Sequence, residues 1–113
     1  MQVTGIGRKD IEDILHELKE GLEVLYGDRL VSVILYGSYA RGEATADSDI
    51  DVAVVLKGEV APGMEIDRML DVTTDLSLEY NTLVGVIPVS VDALEKRNSP
   101  LLMNLRREGI ACE

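Results

Sequence analysis

Residues 37–55, GSYARGEATADSDIDVAVV, restrict the fold more than any other stretch of this chain. They start where one apolar run (LVSVILY, 30–36) stops and end inside a second (IDVAVVL, 50–56). Both runs have strand length and strand composition, Gly37 ends the first, and the unbroken second predicts cover on both faces. Asp49 and Asp51 stand at the mouth of the second run with Ile50 between them. Alternate residues of a strand share a face, so both carboxylates point one way while Ile50 enters the other side. Paired carboxylates repel each other and raise a pKa unless a cation lies between them.

The surrounding chain supplies the layers. Ile11, Ile14, Leu15, Leu18, Leu22 and Leu25 recur at helical spacing and predict an amphipathic helix closed by Gly27. Gly21 within it marks a place of close packing. KGEVAPG (57–63) reads as a loop, and Ile66, Met69, Leu70, Leu76 and Tyr80 predict a second long helix from Glu65 to about Asn81. LVGVIPVSV (83–91) is a third strand, placed at a sheet edge or bulge by Pro88, which cannot donate to a ladder. Ser99 as N-cap, Pro100 at the first helical position and Gly109 as the stop frame a last helix. The order helix, strand, strand, helix, strand, helix predicts an α/β or α+β fold: one domain over residues 1–113, with a small sheet covered by helices.

Charge narrows the function. The net charge of −10 leaves no basic stripe, which disfavours direct polynucleotide binding, because phosphate neutralisation supplies most of that affinity. A nucleotide chelated to a metal remains compatible, since the metal inverts the local sign, and an acidic surface suits a basic protein partner. Cys112 alone allows no intrachain disulfide, and no segment has signal-peptide or membrane-spanning character, so a cytoplasmic location is expected.

The residues between the two runs suggest what the cation serves. Gly37 permits a sharp bend that a phosphate can approach with no Cβ in the way. A short helix starting near Ser38 would aim free N–H groups at that phosphate. Ser38 adds a hydroxyl and Arg41 a planar guanidinium. Mg²⁺ takes oxygen ligands and is commonly held by one or two carboxylates plus substrate phosphates. Asp49 and Asp51 therefore form a candidate metal seat facing a candidate phosphate cradle of Gly37, Ser38 and Arg41.

Gly37, Ser38, a ten-residue gap and Asp49-x-Asp51, with ARG at 40–42 and Ser48 before the first acid, resemble the signature of the DNA polymerase β-like nucleotidyltransferase superfamily. The whole string looks like its minimal, or MNT, branch, and the order of elements is similar through nearly the whole chain. The resemblance implies a mixed sheet packed with helices and metal-dependent transfer of a nucleoside monophosphate, AMP from ATP. It places the triphosphate on Gly37 and Ser38 and Mg²⁺ on Asp49 and Asp51, which makes the two aspartates catalytic. Many MNT domains are antitoxins that silence a HEPN-type RNase toxin by adenylylating a tyrosine, which implies a toxin partner and a hetero- or homo-oligomer. Active members also supply a third carboxylate from the strand after the second helix. Here that strand has no acid, the expected place is near Gly85, and Asp75, Glu79 and Asp92 lie outside it. That gap keeps a second function open: a nucleotide-binding or antitoxin subunit without turnover, acting by occlusion.

Plainer roles stand beside these. Arg41 reads equally as a phosphate contact and as a surface ion pair with Glu43 or Asp47, and Asp47 as a turn or capping residue. His16 falls on the solvent face of its helix. Lys96, Arg97, Arg106 and Arg107 read as a cluster for an acidic partner or an incoming phosphate, although helix C-terminal charge placement accounts for the last two. Tyr36 and Tyr39 flank the bend, where Tyr36 suits packing and Tyr39 suits packing or base stacking. Cys112 reads as an incidental terminal thiol.

Overall fold

The computed structural model describes residues 8–45 and 47–112. The two apolar runs become neighbouring antiparallel strands, β1 (Leu30–Tyr36) and β2 (Ile50–Leu56), with the bend and the acids between them. β3 (Val84–Ser90) lies parallel to β2, and a two-residue β4 (Ile110–Ala111) lies antiparallel to β1. The result is one mixed sheet in the order β3–β2–β1–β4.

Helices α1 (Arg8–Tyr26) and α3 (Pro62–Tyr80) cover one face over Val33, Leu35, Ile50, Val52, Val54 and Leu56. Short α4 (Val91–Lys96) and α5 (Pro100–Glu108) cover the other around Ala53, Val89, Leu102 and Leu105. Every residue from Val52 to Leu56 is buried, because each successive side chain of β2 meets one helical layer or the other. The expected small sheet with helical cover is observed.

β3 is the edge strand that Pro88 predicted. The Ile50 N–H donates to the Leu83 carbonyl at 2.9 Å, so odd-numbered residues of β3 face β2 and even-numbered ones face outward. The missing N–H of Pro88 thus falls on the free edge, and the outward N–H of Val84 donates to Ser77 Oγ at 3.1 Å. Both features blunt an edge that would otherwise recruit another strand.

Several details differ from the sequence pattern. α3 starts at Pro62, inside the predicted loop, with the proline in its first turn, where a missing N–H costs nothing. Its buried face is Glu65, Met69, Thr73 and Leu76, whereas Ile66 and Leu70 are exposed. Leu25 is also exposed, and Tyr26 takes the last core place of α1. One cluster explains the exchange. Glu65 accepts from the Tyr26 hydroxyl at 2.9 Å and from Arg29 at 3.1 Å, while Arg29 also donates to the carbonyls of Lys57 and Glu59. With these partners the buried carboxylate keeps its hydrogen bonds and a counter-charge, which makes its place on the inner face tolerable. Burial alone would push the Glu65 carboxyl up, but Tyr26, Arg29 and Arg68 together hold it below its ordinary range. The Tyr26 phenol is pushed up to about 12, first by burial and then by Glu65.

A Cβ on Gly21 would stand 2.9 Å from Val72 Cγ1, so this glycine does mark close packing, between α1 and α3. Ser99 caps α5 by accepting from the Leu102 N–H, and Gly109 ends the helix. α4 and β4 carry no pattern strong enough to announce themselves. Through β4 the C-terminus joins the sheet, and the Cys112 N–H donates to the Val33 carbonyl at 2.8 Å.

Candidate active site

The bend after β1 is built around one glycine. Gly37 has φ 77° and ψ −155°, and α2 (Ser38–Arg41) is the single helical turn expected to begin at Ser38. Gly42, at φ 73°, closes that turn, and the Glu43 N–H donates back to the Ser38 carbonyl at 2.9 Å. A Cβ placed on Gly37 would lie 2.5 Å from Asp51 Oδ2. The carboxylate therefore occupies space that only a glycine leaves, and bend and acid are in contact. α2 is too short for a useful macrodipole; what it offers an anion is the unpaired N–H groups of a helix start.

Strand register sets the rest of the site. Asp51 pairs with Tyr36 on β1 and with Gly85 on β3, so these three form one row across the sheet. Alternation puts that row on the α4–α5 face, together with Asp49. The next row inward, Ile34–Ala53–Ile87, packs against Leu102 and Leu105. The row of Asp51 is only half-buried, and Asp49 is exposed. The site is an open platform beside the end of α5. Burial pushes the Asp51 carboxyl above its ordinary range, the charge of Asp49 adds to this, and Arg41 partly offsets it. The two acids thus sense each other, as their spacing predicts.

These residues fit a magnesium ion. Among the described residues no group of three or more His, Cys, Asp or Glu forms a metal cage. Mg²⁺ does not need one when substrate phosphates complete its shell. Two carboxylates two residues apart, one with its charge disfavoured, beside a bend that excludes any Cβ, form a suitable donor set.

Arg41 has partners already. Its Nε donates to Glu43 Oε1 at 2.9 Å, and its NH1 lies 3.6 Å from Glu108 Oε2 at the end of α5. The Glu43 pair was legible in the sequence; Glu108 was not, because nothing local joins residues 41 and 108. Asp47 sits exposed in a turn closed by Thr45 and Ser48. Tyr36 belongs to the row of Asp51, and burial followed by the Asp51 charge pushes its phenol up. Tyr39 packs towards the α1 core on the other side.

His16, Lys96, Arg106 and Arg107 have structural partners. His16 is exposed beside Glu20. Arg106 donates to the carbonyls of Leu94 and Arg97 and to Asn98, which fastens the α4–α5 connection. Lys96 pairs with Asp92, and Arg107 with Asn104. A cleft of about 460 Å³ between α1, α2 and β4, and another of about 610 Å³ near Gly58 and Arg97, both lie away from Asp51.

The sequence model for the nucleotidyltransferase domain matches residues 15–100. This chain belongs to the nucleotidyltransferase domain family. The matched region holds all the site residues described except Glu108. Within the family, a Methanocaldococcus jannaschii chain named provisionally as a protein adenylyltransferase is 34% identical over 99 residues, covering 87% of this chain and 93% of its own. The protein adenylyltransferase MntA of Thermococcus cleftensis is 46% identical over 46 residues, 41% of this chain and 44% of its own. A crystal structure of a toxin–antitoxin with AMP-PNP superimposes with a TM-score of 0.62 at 20% identity, covering 90% of this chain and 72% of that one. At that identity the likeness is one of fold. The shared fold extends through most of this nucleotidyltransferase.

Proposed function

We propose that this chain transfers AMP from ATP to a hydroxyl of a partner protein, as the antitoxin of a pair whose toxin is a HEPN-type RNase. The observation that carries the site is the contact between bend and acid: Gly37 leaves room for Asp51 Oδ2 and for no side chain of its own. Family membership, a relative named as a protein adenylyltransferase and the toxin–antitoxin likeness support the class of reaction and its setting. A half-buried row with Asp49 exposed beside it suits an acceptor presented by another protein.

In this reading Asp49 and Asp51 hold Mg²⁺, and Gly37, Ser38 and the N–H groups of α2 receive the triphosphate, with Arg41 beside it. Bound Mg²⁺ would neutralise phosphate charge and polarise the α-phosphoryl group. The acceptor hydroxyl oxygen forms a bond to the α-phosphorus and gives up its proton to water, the bond from that phosphorus to the α,β-bridging oxygen breaks, and pyrophosphate leaves with that electron pair. Asp51 is held by Gly37 and its strand neighbours, so it needs little rearrangement when the ligands arrive.

The test is label transfer from ATP radiolabelled at the α-phosphate to the protein encoded beside this chain. Asp49→Ala with Asp51→Ala should lower transfer by at least roughly 100-fold. Equal labelling by wild type and double variant would remove the assignment. One observation favours the alternative of an antitoxin without turnover. The register partner of Asp51 on β3 is Gly85, where a Cβ would lie 3.9 Å from Asp51 Oδ1, so the place for a third carboxylate holds no side chain. Under that reading neutralisation of the toxin survives loss of both aspartates and no pyrophosphate is released.

A further inference from the structure

Arg41 ends the helical turn α2 between β1 and β2, and its guanidinium is held at two points by acids from different parts of the chain. Glu43 reaches Nε from two residues away; its backbone is fixed because its N–H donates to the Ser38 carbonyl. Glu108 reaches NH1 from the last turn of α5, and it is half-buried. A planar guanidinium fixed through Nε and NH1 has its orientation set, and it retains further N–H donors for another acceptor. Arg41 also ends the turn whose N-cap is Gly37, the residue that packs against Asp51 Oδ2.

We propose that Glu108, together with Glu43, is a positioning residue that aims Arg41 at the triphosphate of a nucleotide seated at Gly37 and Asp51. This rests on the nucleotide site described above and adds to it a role for the end of α5. An arginine side chain loses considerable rotamer freedom when it binds a phosphate, and two carboxylates that hold it beforehand remove part of that cost. α5 thereby contributes to nucleotide affinity without touching the nucleotide.

The sign of the effect separates positioning from simple electrostatics. The chain carries a net charge of −10, so neutralising an acid should by itself leave affinity for an anionic nucleotide unchanged or raise it. Positioning predicts the reverse at one site. Calorimetric titration with Mg²⁺ and α,β-methylene-ATP should show Glu108→Gln weakening binding by about 3- to 10-fold, as expected for losing one pre-ordered contact. Glu95→Gln, the same charge change on exposed α4, should not weaken it. In an Arg41→Lys background, Glu108→Gln should have no further effect, because lysine has no planar fork to orient. Thermal midpoints of these variants should stay close to that of wild type, since exposed ion pairs contribute little to stability.

Binding by Glu108→Gln that equals or exceeds wild type would overturn the positioning role. Asp49→Ala with Asp51→Ala, run beside it, tests the nucleotide site itself. If wild type binds and this double variant does not, a null result at Glu108 removes only the present inference. If the double variant still binds, the site is misplaced.

Discussion

At the Leu30–Leu56 end of the β1–β2 ladder a buried glutamate meets a hydroxyl and a guanidinium; at the Tyr36–Asp51 end two aspartates share a face with Arg41 as their cationic neighbour. The two ends belong to the same pair of seven-residue strands. At the first end the protein environment completes the charge, and the Glu65 carboxyl is held below its ordinary range. At the second the charge is left incomplete, and the Asp51 carboxyl is pushed up. Among the described residues no fully buried side-chain polar atom lacks a partner, and what marks the half-buried Asp51 carboxylate is its charge imbalance. An acid whose charge its own chain compensates is accounted for by structure, whereas one left uncompensated is a candidate for binding something from outside.

The sharpest way to break this contrast is at the finished end. Glu65→Ala strands the Tyr26 hydroxyl and Arg29, and it should cost about 3 kcal/mol in denaturant unfolding while nucleotide affinity changes little. Large loss of affinity at unchanged stability would reverse the roles given to the two ends. Gly37→Ala comes next. It forces a side chain into a positive-φ backbone and against Asp51, so a loss of about 2 kcal/mol is expected, this time together with nucleotide binding. A crystal structure of a tight-binding Gly37→Ala would show that the bend is not the cradle.

The smallest effect is the most specific. Because the folded state raises the pKa of Asp51, its contribution is most favourable below the ordinary carboxylate range and is lost as pH rises through the folded value. Asp51→Asn should therefore raise the thermal midpoint slightly at neutral pH and show no such advantage near pH 3.5, below the ordinary aspartate value. Glu65 has the opposite sign: its stabilisation is present above the ordinary glutamate value and fades as pH falls through the depressed one. Equal pH dependence of Asp51→Asn and wild type would mean that Asp51 is not strained by its surroundings.

Much of the fold was readable because it depends on near neighbours. The strand limits 30–36 and 50–56, the cap at Ser99, the single turn at Ser38 and the edge position of Pro88 follow from spacing and backbone sterics within a few residues. The second helix was read less well. Its apolar residues Ile66 and Leu70 suggested the wrong inner face, because the partners that let Glu65 go inside come from Tyr26 and Arg29, more than thirty residues earlier. β4 is two residues long, and its pairing with β1 is invisible to any periodicity.

The sequence by itself determined that a glycine bend and two acids would flank neighbouring strands, since alternation and the freedom of glycine are properties of the local chain. Only the tertiary structure decided that Asp51 Oδ2 fills the space beside Gly37, that Gly85 stands next to it, and that Glu108 reaches Arg41. Those contacts depend on strand register and on where α5 crosses the sheet. Both are fixed by how the whole core packs, and no short stretch of sequence encodes them.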